Sequence, residues 1–264
     1  MTQAYTKIEE TNPTDDKFNG ITVVILHGVD GFPEKSWYGW LARQLQAKGC
    51  RTFVPQLPTK VPADGIRDMY DGNTPEKLGS YDYQTLNEWT GGVEACLKGL
   101  DPEKTIVIGH SLGGAMAVHT AHQMALEEKK LLGLFCVCPV AGDINLLECE
   151  PGLSTFYKPM TPEFVKKAQQ GVNGRNRWVI VSNNDQDVPP EQSRPMAEAL
   201  GASIFCIPGA KHINRDSGFT PDTGFPFLLE KVSALIEQNL NAQHTVKEHR
   251  STRRAGAKPE ELKL

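Results

Sequence analysis

The stretch that decides the fold is TIVIGHSLGG, residues 105–114. Its first half is a β-branched apolar run that predicts a buried strand, and a helical pattern follows as far as Leu126. Between the two lies a G-x-S-x-G pentapeptide centred on Ser111. A turn this tight strains its serine and needs small neighbours, here Gly109 and Gly113. We therefore predict that the Ser111 hydroxyl stands above the sheet edge, rather than being incidental to a glycine-rich turn.

A serine hydroxyl needs a base, because it is barely ionised at neutral pH. With a turn of this kind the usual chain order is serine, acid, histidine. Among seven histidines, only His212 follows a predicted strand (202–209) after the serine. The other six lie in the first strand, the turn, the helix after it and the C-terminal tail. We predict His212 as the base, against the alternative of an ordinary surface histidine.

The acid should follow the preceding strand, where residues 181–190 read VSNNDQDVPP. Asp185 and Asp187 both follow this strand, and we expect only one of them to meet His212. Asp185 has the D-x-x-V-P form, in which the acid precedes the turn into the next helix. We predict Asp185 as the acid and keep Asp187 as the alternative.

Acyl transfer also needs N–H donors for the oxyanion of the tetrahedral intermediate. The amide of Leu112 is one candidate, because it opens the helix after the serine. The second donor is expected in the loop HGVDGF, residues 27–32, where glycines allow close approach of the backbone. We predict the Val29 amide, although an ordinary strand-to-helix turn would contain the same glycines.

Further apolar runs alternate with helical patterns on both sides of this stretch, which indicates a parallel sheet covered by helices on both faces. The predicted strands are 21–27, 51–57, 105–111, 131–140, 177–183 and 202–209. The predicted helices are 36–49, 83–100, 113–126, 195–200 and 225–240.

Three regions interrupt this alternation within one domain predicted at 21–240. Residues 58–81 and 143–176 are long, Pro/Gly-rich insertions of the kind that form covers or mobile loops. Residues 1–20 are a polar N-terminal extension. Residues 241–264 carry six Lys or Arg and three Glu with few large apolar side chains, so we predict a disordered tail.

Composition excludes several classes of protein. The 264 residues are 39% hydrophobic and carry a net charge of −4, so phosphate-backbone binding is not expected as the main activity. No apolar run is long enough for a membrane helix, and no secretory signal is visible. Six cysteines without framework spacing predict reduced thiols in a cytoplasmic protein, and no metal-ligand motif occurs.

Together, HGVDG, GHSLGG, SNNDQDVP and GAKH resemble the α/β-hydrolase superfamily over residues 21–239. More narrowly, SWYGWLARQLQAKG followed by CRTFVPQLP is similar to the small serine hydrolases of the retinoblastoma-binding protein 9 type. The resemblance implies a three-layer sandwich with about six parallel strands, a serine nucleophile and no cofactor. It also implies a catalytic triad formed by Ser111, Asp185 and His212. The insertions, the histidine of the 27–32 loop and the basic tail depart from the pattern.

The resulting hypothesis is a metal-free serine hydrolase of the carboxylesterase or thioesterase kind, acting on a small-molecule ester, thioester or amide. Two alternatives stay open at this point. One is a catalytically silent binding or scaffold protein on the same fold, and the other is a lyase or perhydrolase reaction on the same triad. The sequence does not predict an oligomeric state.

Overall fold

A parallel sheet forms the centre of the protein. The computed structural model describes residues 15–59, 84–142 and 151–256. The strands in these ranges are β1 (Thr22–Leu26), β2 (Arg51–Phe53), β3 (Thr105–His110), β4 (Gly133–Val137), β5 (Arg177–Val181) and β6 (Ser203–Cys206). Their spatial order is β2-β1-β3-β4-β5-β6, and every neighbouring pair is parallel. The predicted α/β fold with a parallel sheet of about six strands is confirmed.

Both faces of the sheet are covered. Successive residues of a strand point to opposite faces, and Val23 and Val24 of β1 are both fully buried. The same holds for Ile106 and Val107 of β3. Burial on two sides explains why these strands read as continuous apolar runs instead of alternating ones.

Seven helices accompany the strands in the described ranges. They are α1 (Tyr38–Gln46), α2 (Leu86–Leu97), α3 (Leu112–Leu126), α4 (Pro151–Tyr157), α5 (Pro162–Ala168), α6 (Pro190–Leu200) and α7 (Pro226–Gly256). Helix α1 packs on β1 and β2, α3 on β1, β3 and β4, and α6 on β5 and β6. None of these helices combines the length and apolar character needed to cross a membrane.

The C-terminal region differs from the sequence-based expectation. The chain divides into two units, with the boundary between Phe225 and Pro226. In the second unit a single helix runs to Gly256, so the prediction of disorder from residue 241 is wrong for residues 241–256. No proline or glycine occurs after Pro226 until Gly256, and nothing in that stretch therefore stops a helix once it has started. Charge alone was a poor guide here.

The two long insertions were predicted to be covers or mobile loops. Most of 58–81 and the first part of 143–176 lie outside the described residues. The remainder of the second insertion is not irregular, because α4 and α5 lie within it. Each of these helices begins at a proline, which is well suited to the first turn of a helix.

Candidate active site

Ser111 lies at the sharp junction between β3 and α3, as the pentapeptide predicts. Its backbone is in the left-handed region, with φ 55° and ψ −120°. A Cβ at position 109 would collide with the carbonyl oxygen of Gly113, and one at position 113 would collide with the carbonyl oxygens of Leu26 and His27. Only glycine fits at either position: the turn itself explains Gly109, and close packing against the end of β1 explains Gly113.

Main-chain hydrogen bonds hold this strained turn in place. The Ser111 N–H donates to the carbonyl of Val137 at 2.9 Å, and the Ser111 carbonyl accepts from Val140 N–H at 3.1 Å. A positive φ costs a residue other than glycine about 1–3 kcal/mol, and such strain is typical of functional sites. The Ser111 side chain makes no capping hydrogen bond to α3. Its hydroxyl is therefore not committed to stabilising the helix.

Asp185 and His212 meet at the same edge of the sheet. The His212 Nδ1–H donates to Asp185 Oδ2 at 2.8 Å, and both residues are buried. The other carboxylate oxygen, Oδ1, accepts the N–H groups of Asp187 and Val188 at 3.0 Å each. The Asp187 side chain is exposed. Of the two candidate acids, Asp185 is therefore the one that the structure places against the histidine.

The charge on Asp185 is stabilised despite its surroundings. Burial alone would raise the pKa of this carboxyl group. The hydrogen bond and positive charge of His212 outweigh that effect, and the N–H of Val188 adds to them, so the pKa lies below its ordinary value. Asp185 is thus an anion at neutral pH, and it can hold the imidazole with a proton on Nδ1.

The two residues before Asp185 also hold the loop that carries His212. Asn183 Oδ1 accepts the N–H of Gly209 at 2.8 Å, and Asn184 Oδ1 accepts the N–H of Lys211 at 2.8 Å. Three consecutive side chains after β5 therefore bind the loop after β6. Sequence reasoning selected the aspartate alone. The polar run SNND directly after a strand was the signal available for the asparagines.

The predicted oxyanion loop approaches the serine closely. A Cβ at Gly28 would lie only 3.0 Å from the Cβ of Ser111. The carbonyl of Gly28 accepts His27 Nδ1–H at 2.8 Å and Gly31 N–H at 3.1 Å. Because C=O and N–H point in opposite directions across a trans peptide, the Val29 N–H is directed away from the His27 ring. This orientation leaves the Val29 amide available to a ligand.

His27 is a fixed neutral group in this arrangement. Its Nε2 accepts the N–H of Leu57 at 3.0 Å, while Nδ1–H donates to Gly28. Complete burial lowers the pKa of His27 to about 4. One ring nitrogen donates and the other accepts, so this tautomer uses both positions of the imidazole.

Gln84 anchors the middle of the same loop. Its Oε1 accepts the Asp30 N–H at 3.0 Å, and its Nε2 donates to Asp30 Oδ1 at 2.8 Å. The Gln84 side chain is fully buried. No motif in the sequence marks this residue, because it lies more than fifty positions from the loop that it holds.

Cys138 completes the surroundings of the acid. The Cys138 sulfur, the Asp185 carboxylate and a ring nitrogen of His212 all lie within 4.8 Å of one another, the one such group among the described residues that could hold a metal ion. Burial and the Asp185 charge raise the pKa of the Cys138 thiol well above its ordinary value. A protonated thiol can donate a hydrogen bond, and the Asp185 carboxylate is the acceptor beside it. Together with the bond from His212 Nδ1–H, the carboxylate is thus held by two side chains.

The predicted site residues thus converge on one edge of the sheet. Ser111 follows β3, the 27–32 loop follows β1, Asp185 follows β5 and His212 follows β6. All four strands are parallel, so their carboxyl ends lie together, which is the usual place for a site on such a sheet. The residue before the serine, His110, has its ring centroid 4.9 Å from that of His212.

Known proteins resemble this chain in sequence and in fold. YdeN of Bacillus subtilis (strain 168) is 25% identical over 202 residues, which cover 75% of this chain and 88% of that protein. The crystal structure of the B. subtilis ydeN gene product superposes with a TM-score of 0.62 at 21% identity, covering 82% of this chain and 99% of that one. Human protein phosphatase methylesterase 1 is 32% identical over 127 residues, or 47% of this chain and 28% of that protein.

The profile of the serine hydrolase family matches residues 76–229, which is more than half of the chain. The narrower resemblance to the retinoblastoma-binding protein 9 type stays a prediction. The strained serine, the buried acid–histidine pair and the parallel sheet lie within or beside the matched range. The chain belongs to the serine hydrolase family, on an α/β-hydrolase fold.

Proposed function

We propose that this hydrolase cleaves a carboxylic ester, thioester or amide in a small-molecule substrate through an acyl-enzyme formed on Ser111. The observation that carries the proposal is the 2.8 Å hydrogen bond from His212 Nδ1 to Asp185 Oδ2, at the same sheet edge as a serine with φ 55°. A buried imidazole with its Nδ1 proton committed to a carboxylate has Nε2 left to accept a proton.

In the first half of the reaction, Ser111 Oγ attacks the substrate carbonyl carbon while His212 Nε2 takes the hydroxyl proton. Asp185 stabilises the imidazolium that forms. The amides of Leu112 and Val29 donate to the oxyanion, and the position of Leu112 at the start of α3 supports this role because the first N–H of a helix has no carbonyl within the helix. His212 then protonates the leaving group, and the acyl-enzyme is left.

In the second half, water attacks the acyl carbon and His212 takes a proton from it. Collapse of the second tetrahedral intermediate returns that proton to Ser111 Oγ and releases the acid. The reaction needs no cofactor. An ester is the first bond to test, because the name of the related methylesterase states that reaction for that protein.

A cytoplasmic setting is part of the proposal. The five cysteines in the described ranges are free thiols. Burial raises the pKa of Cys50, Cys96 and Cys136 to about 12, so these thiols stay protonated at neutral pH. Unreactive, unpaired thiols are what a reducing compartment favours.

The test compares labelling and turnover in Ser111→Ala and in a matched control. Wild-type protein should react with a fluorophosphonate probe and hydrolyse nitrophenyl esters of graded chain length, with thioester and anilide analogues reporting the bond class. Ser111→Ala should lose labelling and about 10⁴-fold or more in turnover. Ser203→Ala, a change at an exposed serine of β6, should alter neither. Full labelling of Ser111→Ala would assign the nucleophile elsewhere.

A further inference from the structure

A pair of side chains outside the predicted triad reaches the main chain of His212. Tyr38, the first residue of α1, has its hydroxyl 2.7 Å from His110 Nδ1. On the other side of the ring, His110 Nε2 lies 2.9 Å from the carbonyl oxygen of His212. Tyr38 and His110 are 2% and 3% exposed, so water does not compete for these hydrogen bonds.

The donor and the acceptor can be assigned in both hydrogen bonds of this Tyr38–His110–His212 series. A carbonyl can only accept, so His110 Nε2 carries a hydrogen and donates it to His212. Burial, with the neighbouring His212 charge, lowers the pKa of His110 to about 3, so the ring is neutral and Nδ1 has a lone pair. Tyr38 must therefore be the donor to Nδ1. Both hydrogen bonds point the same way and polarise each other.

The loop that receives this hydrogen bond is strained on both sides of His212. Lys211 has φ 48° and Ile213 has φ 49°, in a region that costs L-residues about 1–2 kcal/mol each and is especially poor for a β-branched side chain. Trp37 Nε1–H donates to the carbonyl of Ile213 at 2.9 Å. Consecutive carbonyls of the loop are thus held from the N-terminal end of α1: that of Ile213 directly by Trp37, the residue before the helix, and that of His212 by Tyr38 through His110.

We propose that Tyr38 and His110 are positioning residues for the base, and that they fix the main chain of His212 so that its Nε2 faces Ser111. The inference rests on the proposed function. The Asp185 hydrogen bond fixes one ring nitrogen of His212, but a ring held at that point alone can still swing about it. Fixing the backbone carbonyl beside the ring supplies the second point, and two points set the direction of Nε2.

The proposal predicts a loss of turnover without a loss of substrate binding. A misplacement of about 1 Å at a reacting group can cost about 100-fold, so His110→Leu should lower kcat by about that factor. Tyr38→Phe removes only the distal donor and should lower kcat about 5- to 20-fold. KM should stay within about twofold in both, because neither residue is assigned a contact with substrate.

Two further variants separate positioning from stability. His110→Gln keeps one donor and one acceptor in a similar volume, and it should recover kcat to within about fivefold of wild type. Thr120→Val removes a buried hydroxyl of α3 that donates to the Met116 carbonyl, so it matches the stability cost of Tyr38→Phe away from the site. Its kcat should equal that of wild type.

Urea unfolding and the rate of fluorophosphonate inactivation should be measured on every variant. Tyr38→Phe and His110→Leu proteins that fold and keep wild-type kcat would overturn the proposal. So would a kcat loss in Thr120→Val as large as that in Tyr38→Phe. If His110→Leu does not fold, Tyr38→Phe and His110→Gln decide the outcome.

A proton NMR measurement is independent of hydrolysis. Because it donates to a carboxylate, the His212 Nδ1 proton should give a strongly downfield signal, assigned by its absence in His212→Ala. This signal should shift or broaden in Tyr38→Phe and persist in Thr120→Val. If wild-type protein is not labelled by the probe, the proposed function fails, while this signal still tests positioning. An unchanged signal in Tyr38→Phe would refute the positioning role even in an active enzyme.

Discussion

The two loops that flank Ser111 are held by different means. The loop after β1 is held partly from within, because His27 donates to its own neighbour Gly28. Leu57 and Gln84 bind it from elsewhere in the chain. The loop after β6 is held almost wholly from elsewhere, by side chains of Asn183, Asn184, His110 and Trp37. The first loop thus has part of its support within its own sequence, whereas the second depends on side chains from other elements.

The largest effect is expected from a change at Asp185, the acid that binds His212 in the second loop. Asp185→Asn would present an amide donor to the His212 Nδ1–H and favour the wrong tautomer, and a loss of about 10⁴-fold in kcat is the precedent for such a change in serine proteases. Asp187→Asn is the matched control, because that side chain is exposed. Both variants should be assayed on one activated ester, with circular dichroism to check folding. Equal losses in the two would contradict the assignment of the acid.

A smaller effect is expected from loosening the first loop. Gln84→Ala removes the two hydrogen bonds that the Gln84 side chain makes to Asp30, and it should leave that loop less ordered around the Val29 amide. Losing one oxyanion donor costs about 10²–10³-fold, so a mobile donor should cost about 10- to 100-fold in kcat. The nearby change Gln56→Ala removes one donor to the Gly31 carbonyl and should cost less. A Gln84→Ala enzyme with wild-type kcat would separate this loop from catalysis.

The third prediction concerns two of the buried histidines, His27 and His110, and their effect on the free energy of unfolding at different pH. Burial lowers the pKa of His27 to about 4 and that of His110 to about 3, below the unfolded value near 6.5. Between these folded and unfolded pKa values the unfolded chain therefore binds more protons than the folded protein does. Each histidine therefore leaves the free energy of unfolding unchanged above about pH 6.5 and lowers it by about 1 kcal/mol between pH 6.5 and 5.5.

Urea unfolding of wild type, His27→Asn and His110→Gln at several pH values checks this expectation. Each substitution should reduce the pH dependence of the free energy of unfolding by the contribution of one histidine, about 1 kcal/mol between pH 6.5 and 5.5. This holds whatever the effect of the substitution on absolute stability. Parallel curves for all three proteins would show that these imidazoles do not titrate on unfolding as expected.

The sequence was informative wherever chemistry and local geometry coincide. Gly109 is required by a contact within the turn itself, and Asp185 is marked by the Val-Pro that follows it, so local patterns were enough to find them. Gly113 was found from the same pentapeptide, although the atoms that require it lie at the end of β1. The parallel sheet follows from continuous apolar strands in the same way.

Residues that act across the fold were not found. Gln84 meets Asp30 and His110 meets the His212 carbonyl only after the strands align, and no spacing in the chain encodes either contact. The C-terminal helix was misjudged for a different reason. Charged residues predict exposure, but an exposed segment can still be helical, and residues 241–255 contain no proline or glycine to interrupt the helix that begins at Pro226.

The three consecutive side chains Asn183, Asn184 and Asp185 have a consequence for engineering. Each binds a different point of the segment 209–212, so the two segments form one cassette although more than twenty residues separate them. A deletion of one residue in either segment would put all three contacts out of register at once. Recombination between relatives, or transfer of this site to another scaffold, should therefore exchange 183–185 and 209–212 together.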